Sequence, residues 1–150
     1  MYWTFDDAAR ISVFPEIVTF ATKFAIYFKR RDFFSQMSTA EIIDKLTILD
    51  LKLKNLKDPE KLAHVQKEKD LLEPQAPDVG PFRTLLYHVN SVLWDVEDRL
   101  RVLESESNFG PEFVLLARSV YFTNDIRSKV KSQISKITDD PVKEVKSYVD

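Results

Sequence analysis

The chain has 150 residues and a formal net charge of −2, with only two glycines and no cysteine. This length suits a domain with a hydrophobic core, and the scarcity of glycine favours long helices over tight turns. The balanced charge gives no electrostatic basis for binding nucleic acid, and the lack of cysteine excludes disulfides and thiolate chemistry. The two histidines, His64 and His88, have no metal-ligand spacing. No apolar run reaches the roughly 18 residues of a membrane-spanning helix. We therefore expect a soluble cytoplasmic protein with no cofactor and no metal.

Residues 1–36 differ from the rest of the chain, because seven of the eleven phenylalanines lie there. Pro15 suits a first helical position and predicts a helix over residues 15–33 that is apolar nearly all the way round. The basic run at residues 29–31 follows this stretch, whereas a secretory signal carries its charges first. We expect a Phe-rich N-terminal helical extension that covers the bundle or contacts a second copy or a protein partner. An interfacial membrane anchor is the alternative.

The only methionines are Met1 and Met37, and Met37 directly precedes a helix start signal. Ser38 and Glu41 have the spacing of a capping box, in which each side chain bonds the other residue's backbone. A product that starts at Met37 would be a complete domain. We therefore expect residues 37–150 to form the helical bundle domain, with the preceding residues as an appendage or a mis-assigned start.

Two helices follow in the first half of this domain. The stretch over residues 39–56 has two apolar sides, which indicates a central helix, and Asp44 lies on the second side with Lys45 nearby. Asp58 followed by proline is an N-cap signal and predicts a helix over residues 59–72. A proline-rich loop comes next, at residues 73–81.

Two long amphipathic stretches, over residues 81–105 and 111–136, predict an antiparallel helical hairpin. A turn signal follows at residues 138–141, and residues 142–150 are expected to be extended or frayed. The predicted fold is all-α: an antiparallel bundle of four to five helices, built on this C-terminal hairpin. The apolar arc of its first helix comprises Phe82, Leu85, Leu86, Val89, Val92, Leu93, Val96, Leu100 and Leu103.

Polar residues lie beside or within the apolar faces of the hairpin. Asn90, Trp94, Glu97 and Arg101 form a stripe at the edge of the first helix's arc, with spacings of four, three and four. On the second helix a face that begins at Phe113 becomes polar in its second half. The apolar part of that face is Phe113, Leu116, Ala117 and Val120, and the polar part is Asn124, Arg127 and Lys131.

A hairpin that turns near residues 108–109 brings Arg127 level with Asn90, and Glu97 lies about one turn away. Glu97 is the predicted partner of Arg127, because a guanidinium fork suits a carboxylate. These residues converge in a candidate polar cluster whose catalytic role, if any, is unknown. The candidate ligand-binding residues are Asn90, Trp94, Glu97, Arg101, Asn124, Arg127 and Lys131, together with Asp44 and Lys45.

Two functions fit such a cluster. The first is a structural or protein-interaction module, in which the polar residues of the cluster pair only with one another. The second is a pocket that binds a small phosphorylated or carboxylated anion, with or without catalytic turnover. Acidic pairs at Glu41 with Asp44 and at Asp95 with Asp98 could also hold magnesium, as in all-α nucleotide pyrophosphohydrolases. The second pair faces away from the hairpin core, which argues against this third possibility.

Several segments resemble a known protein family. They are Ile43–Leu49 (IDKLTIL), Val89–Asn90 with Leu93–Asp98 (LWDVED), Leu116–Tyr121 (LARSVY) with Asn124–Arg127 (NDIR), and the closing Lys146–Tyr148 (KSY). Together they resemble a family of small bacterial and phage proteins that is catalogued only as a domain of unknown function. The resemblance covers about residues 40–148. It implies no activity, and no site residue is carried over from it.

Overall fold

A computed structural model describes residues 37–140 of the chain. The predicted helix over residues 15–33 and the predicted frayed end at residues 142–150 lie outside this range. Within it the chain forms four α-helices and no β-strand, which confirms the all-α prediction. The helices are α1 (Thr39–Asn55), α2 (Pro59–Leu72), α3 (Pro81–Ser105) and α4 (Pro111–Ile137), with a short 3₁₀ turn at Glu73–Gln75.

Local sequence signals determine where the helices begin. The Ser38 hydroxyl accepts a hydrogen bond from the Glu41 backbone N–H at 3.2 Å and caps α1. The Asp58 carboxylate accepts from the Glu60 N–H at 3.0 Å, directly before Pro59 at the start of α2. Both long helices likewise begin with a proline that follows a glycine.

Helices α3 and α4 end in the same way, with a residue in the left-handed conformation. Ser107 has a φ of 53° and Asp139 a φ of 49°. The next N–H in each case bonds a carbonyl five residues back, Asn108 to Leu103 and Asp140 to Ser135, both at 2.9 Å. This Schellman arrangement satisfies the last carbonyls of each helix, although neither end uses glycine.

The helices pack around α1. Helices α3 and α4 lie side by side as the predicted hairpin, and α1 packs against both of them and against α2. Because α1 has partners on several sides, most of its apolar residues are buried, as its two-sided pattern predicted. The core where α1 meets the hairpin consists of Ala40, Ile43, Val79, Leu86, Val130 and Ile134.

The two halves of α4 differ in burial. The buried residues of α4 all lie in its second half: Val130, Ile134 and Ser135. The first half was predicted to have a buried face, but Phe113, Leu116 and Val120 are only half-buried and Ala117 is exposed. Within the described range, no helix of this protein is long and apolar enough to cross a membrane.

Candidate functional site

Asp44 of α1 is the centre of a polar cluster between three helices. Its side chain is only 3% exposed. The Arg127 guanidinium of α4 meets it with both ends of its fork: Nε donates to Oδ1 at 2.9 Å, and Nη2 donates to Oδ2. A bidentate, charge-assisted pair of this kind is the arrangement that a buried carboxylate requires.

Asn90 of α3 joins the same carboxylate. Its amide nitrogen donates to Asp44 Oδ1 at 2.9 Å and to the Thr47 hydroxyl at 2.8 Å. Thr47 in turn donates to the backbone carbonyl of Asp44 at 2.7 Å. Asp44, Thr47, Asn90 and Arg127 are called the Asp44 cluster below. Across the described residues, no buried side-chain nitrogen or oxygen lacks a hydrogen-bond partner, so the cluster is internally satisfied.

The contact between α1 and α4 continues beyond the cluster. Lys131, one turn after Arg127, pairs with Glu41 at 2.5 Å between Nζ and Oε1. Near the end of α4, the Asp140 carboxylate accepts from the Thr39 N–H at 2.5 Å and adds a second cap to α1. The expected capping box is therefore half formed: Ser38 caps the helix, while the Glu41 side chain bonds Lys131 of α4.

The fork of Arg127, predicted from the hairpin register to pair with Glu97, instead bonds Asp44, although Arg127 also exerts an electrostatic attraction on the Glu97 carboxylate. Arg101 lies nearest to Glu97, at 3.6 Å between Nη2 and Oε2, and also bonds Asp98 at 3.2 Å. Burial raises the pKa of the Glu97 carboxyl, against the opposing effect of Arg101. The hairpin register places α3 beside α4 but does not reveal which face of α1 packs against them, and that face carries Asp44.

The nine candidate residues are therefore only partly brought together. Asp44, Asn90 and Arg127 converge, and Lys131 lies one turn further along α4. Lys45 points elsewhere and pairs with Glu68 of α2 at 2.8 Å. Trp94 and Asn124 are half-buried on the hairpin, while Glu97 and Arg101 pair with each other along α3.

Sequence reasoning missed Thr47 and Asp140. Thr47 lies three residues after Asp44 and is fully buried, so its spacing on the same helical face was the available signal. The capping role of Asp140 joins residues about one hundred positions apart, and no local pattern indicates it.

The Asp44 cluster is chemically suited to joining helices. The positive charge of Arg127 is already opposed by a buried carboxylate, and Glu41 opposes that of Lys131. A small anion that reached either cation would therefore meet a charge that a carboxylate of the protein already balances. The arrangement is thus complete without a ligand.

A model of one protein family matches residues 34–150, more than three quarters of the chain. The chain belongs to DUF6165, a family of unknown function. No curated protein and no solved structure shows significant similarity to it. The match agrees with the resemblance seen in the sequence, and no activity comes with it.

A second feature of this DUF6165 chain lies on the opposite side of α4. Leu115 is 67% exposed and Phe122 54% exposed, and three more large apolar side chains nearby are about half exposed. At 100° per residue each lies about 100–140° around the helix from Arg127, which faces α1. We call this surface the outer face; it comprises Val114, Leu115, Tyr121, Phe122 and Ile126.

The sequence carried a signal for the outer face. These five residues are out of phase with the buried line through Phe113 and Arg127. Packing in a simple hairpin buries only that line, so it does not account for large apolar residues elsewhere on the helix. The rings of Tyr121 and Phe122 lie 4.2 Å apart between centroids, tilted by 33°, and form an aromatic surface at the middle of the face.

Proposed function

We propose that this protein is a cytoplasmic protein-interaction module. In this proposal the Asp44 cluster fixes three helices, and the outer face of α4 binds a protein partner. The observation that carries the proposal is the exposure of five large apolar side chains on one helical face. The Phe-rich residues 1–36 are a further proposed contact region, on the strength of their composition.

The energetics favour binding over a role of the outer face in folding. Full burial of a large apolar side chain contributes about 1.5–3 kcal/mol, and these residues are roughly half exposed. Much of that contribution is therefore unused by the described fold. Contiguous apolar patches of a few hundred Å² on protein surfaces commonly mark interaction sites.

Binding of a small anion is the second candidate, and one observation bears on it. Arg127 is 27% exposed, so solvent reaches the edge of its side chain, yet its fork is engaged by Asp44. We expect no shift in melting temperature with a panel of phosphorylated and carboxylated metabolites. A stabilising shift that disappears in Arg127→Ala would replace the interaction proposal with an anion-binding one.

A photo-crosslinking amino acid at Phe122 tests the interaction proposal in cells that produce the full chain. His64 provides the control position, because it is exposed on α2 and not on the helix that carries the outer face. We expect a protein adduct from position 122 and none from position 64. If position 122 yields no adduct, or both positions yield the same ones, the outer face is not a specific binding surface.

A further inference from the structure

We infer that the partner of the outer face is a second copy of this chain, bound through an antiparallel pair of α4 helices. This inference rests on the proposed function and adds the identity of the partner. It is carried by the four residues at the centre of the face, Arg118, Tyr121, Phe122 and Asp125, whose order is complementary to itself when the helix direction is reversed.

The self-complementarity centres on the aromatic pair Tyr121 and Phe122. Arg118 lies three residues before Tyr121, and Asp125 lies three residues after Phe122. Both fall between the apolar residues of the outer face at 100° per residue. Arg118 is exposed and Asp125 is half-buried. The two opposite charges thus flank the aromatic pair symmetrically, on the same side of the helix.

This symmetry allows two copies of α4 to pair about a two-fold axis that passes between Tyr121 and Phe122. In an antiparallel pair about that axis, each Arg118 lies level with the partner's Asp125, because the rise per residue is uniform. The contact then occurs twice, as in any isologous interface. Each Tyr121 likewise lies level with the partner's Phe122, so the aromatic surfaces cover each other. A parallel pair would instead place like charges side by side.

One further charge on this side of α4, the exposed Lys129, falls level with the partner's Val114 and therefore meets no like charge. Within the part of the chain that the structure describes, Arg118 forms no ion pair of its own. Asp125 already has an interaction in its own chain, and its carboxylate can accept from several donors at once. The net charge of −2 per chain creates little repulsion between two copies. Because the face is one helix wide, we expect it to bury less than the roughly 800 Å² per partner of a standard interface. We therefore expect a reversible dimer with a dissociation constant on the order of micromolar.

Charge reversal on the full-length chain tests the pairing. Arg118→Asp makes the flanks of the aromatic pair all acidic, and Asp125→Arg makes them all basic. Sedimentation velocity over roughly 1–100 µM should show the unaltered chain dimerising and each variant at least about tenfold weaker, because every substitution counts twice. An equal mixture of the two variants should form a heterodimer, and the double variant should dimerise again.

Lys67→Asp provides the matched control, since it changes the net charge equally from an exposed site on α2. It should dimerise like the unaltered chain. If the half-buried position does not tolerate Asp125→Arg, the exposed Arg118 carries the test: Arg118→Asp should weaken the dimer and Arg118→Lys should preserve it. An unaltered chain that stays monomeric overturns the inference, as does a dimer that both reversals leave intact.

The two proposals fail separately. A monomeric purified chain whose position 122 still crosslinks to a different protein in cells would overturn the self-association and leave the interaction module standing. A chain with no adduct at position 122 and no dimer would remove both.

Discussion

Asp44 is a buried carboxylate that ties α1 to both helices of the hairpin. Removing a charge from water is costly unless its partners are well placed, and here Arg127 and Asn90 supply three hydrogen bonds to its two oxygens. The cluster therefore stabilises one arrangement of the helices, and its members depend on one another.

Truncation of Arg127 should therefore lower the stability of the fold strongly. Arg127→Ala leaves the carboxylate of Asp44 covered and opposed only by a neutral amide, which should lower the free energy of unfolding by roughly 3 kcal/mol or more. Urea denaturation measures this loss. Adding Asp44→Asn to Arg127→Ala should recover part of it, because the uncompensated charge disappears.

Arg101→Ala is the matched control for that experiment. Arg101 is 54% exposed and, among residues 37–140, pairs only with carboxylates of its own helix, so its loss should cost under about 1 kcal/mol. Equal losses for the two arginines would show that the Asp44 cluster has no special role in stability.

Glu97 should affect stability in a pH-dependent way. Burial raises its pKa above the usual 4.5, so the folded chain holds this proton more tightly than the unfolded chain does. Stability is then gained as the pH falls through the window above 4.5, and the charged form weakens the fold at neutral pH. Glu97→Gln should raise the melting temperature near pH 7 and change it little near pH 4.

Glu112 provides a contrast of opposite sign on α4. Two hydrogen bonds from Arg99 lower the pKa of its carboxyl, so its contribution is present above the usual value and is lost as the pH falls. Glu112→Gln should therefore lower the melting temperature near pH 7. A gain from Glu112→Gln, or a loss from Glu97→Gln, at that pH would contradict these assignments.

At the scale of single residues, the sequence predicted that Arg127 and Asn90 would converge but not what they bind. The register of a hairpin follows from the position of its turn. The sequence could therefore predict that Arg127 and Asn90 lie at the same height along the two helices. The rotation of α1 about its own axis depends on packing from all sides, and two apolar faces leave that rotation open. Choosing Asp44 over Glu97 as the partner needed the folded structure.

At the scale of elements, helix bounds were the most predictable feature. The four helices of the described range all begin at the residue that the sequence predicted, and their ends agree within one residue. The reason is that caps, prolines and the turn segments are local signals, and each acts within a few residues. The burial of the first half of α4 was less predictable, because it depends on which helices reach that half.

The turn between α3 and α4 offers a test at this scale. Ser107 takes a left-handed φ of 53°, which is strained for any residue with a Cβ atom. Ser107→Gly should raise the free energy of unfolding by about 0.5–1 kcal/mol, since glycine suits this position of a Schellman motif. Gly80→Ala gives the reverse comparison: φ is +55° there too, so alanine should destabilise. A loss of stability in Ser107→Gly would disprove this turn geometry.

At the scale of the whole molecule, we predict that residues 37–150 fold without residues 1–36. The Ser38 cap lies directly after Met37, and the composition changes at the same place. Thermal melting followed by circular dichroism should show one cooperative transition for the shortened chain. A broad, non-cooperative melt would indicate that the Phe-rich segment completes the core.

The most direct test of the central claim asks whether the outer face is covered by the rest of the chain or is left exposed for a partner. Phe122→Ser, denatured in urea at a concentration where the chain is monomeric, should lower the free energy of unfolding by no more than about 1.5 kcal/mol, since about half of the side chain is exposed. Leu86→Ala, in the core, should lower it by about 2–5 kcal/mol in the same assay. If Phe122→Ser matched the loss of Leu86→Ala, the chain itself would cover this face, and no partner would be needed to explain it.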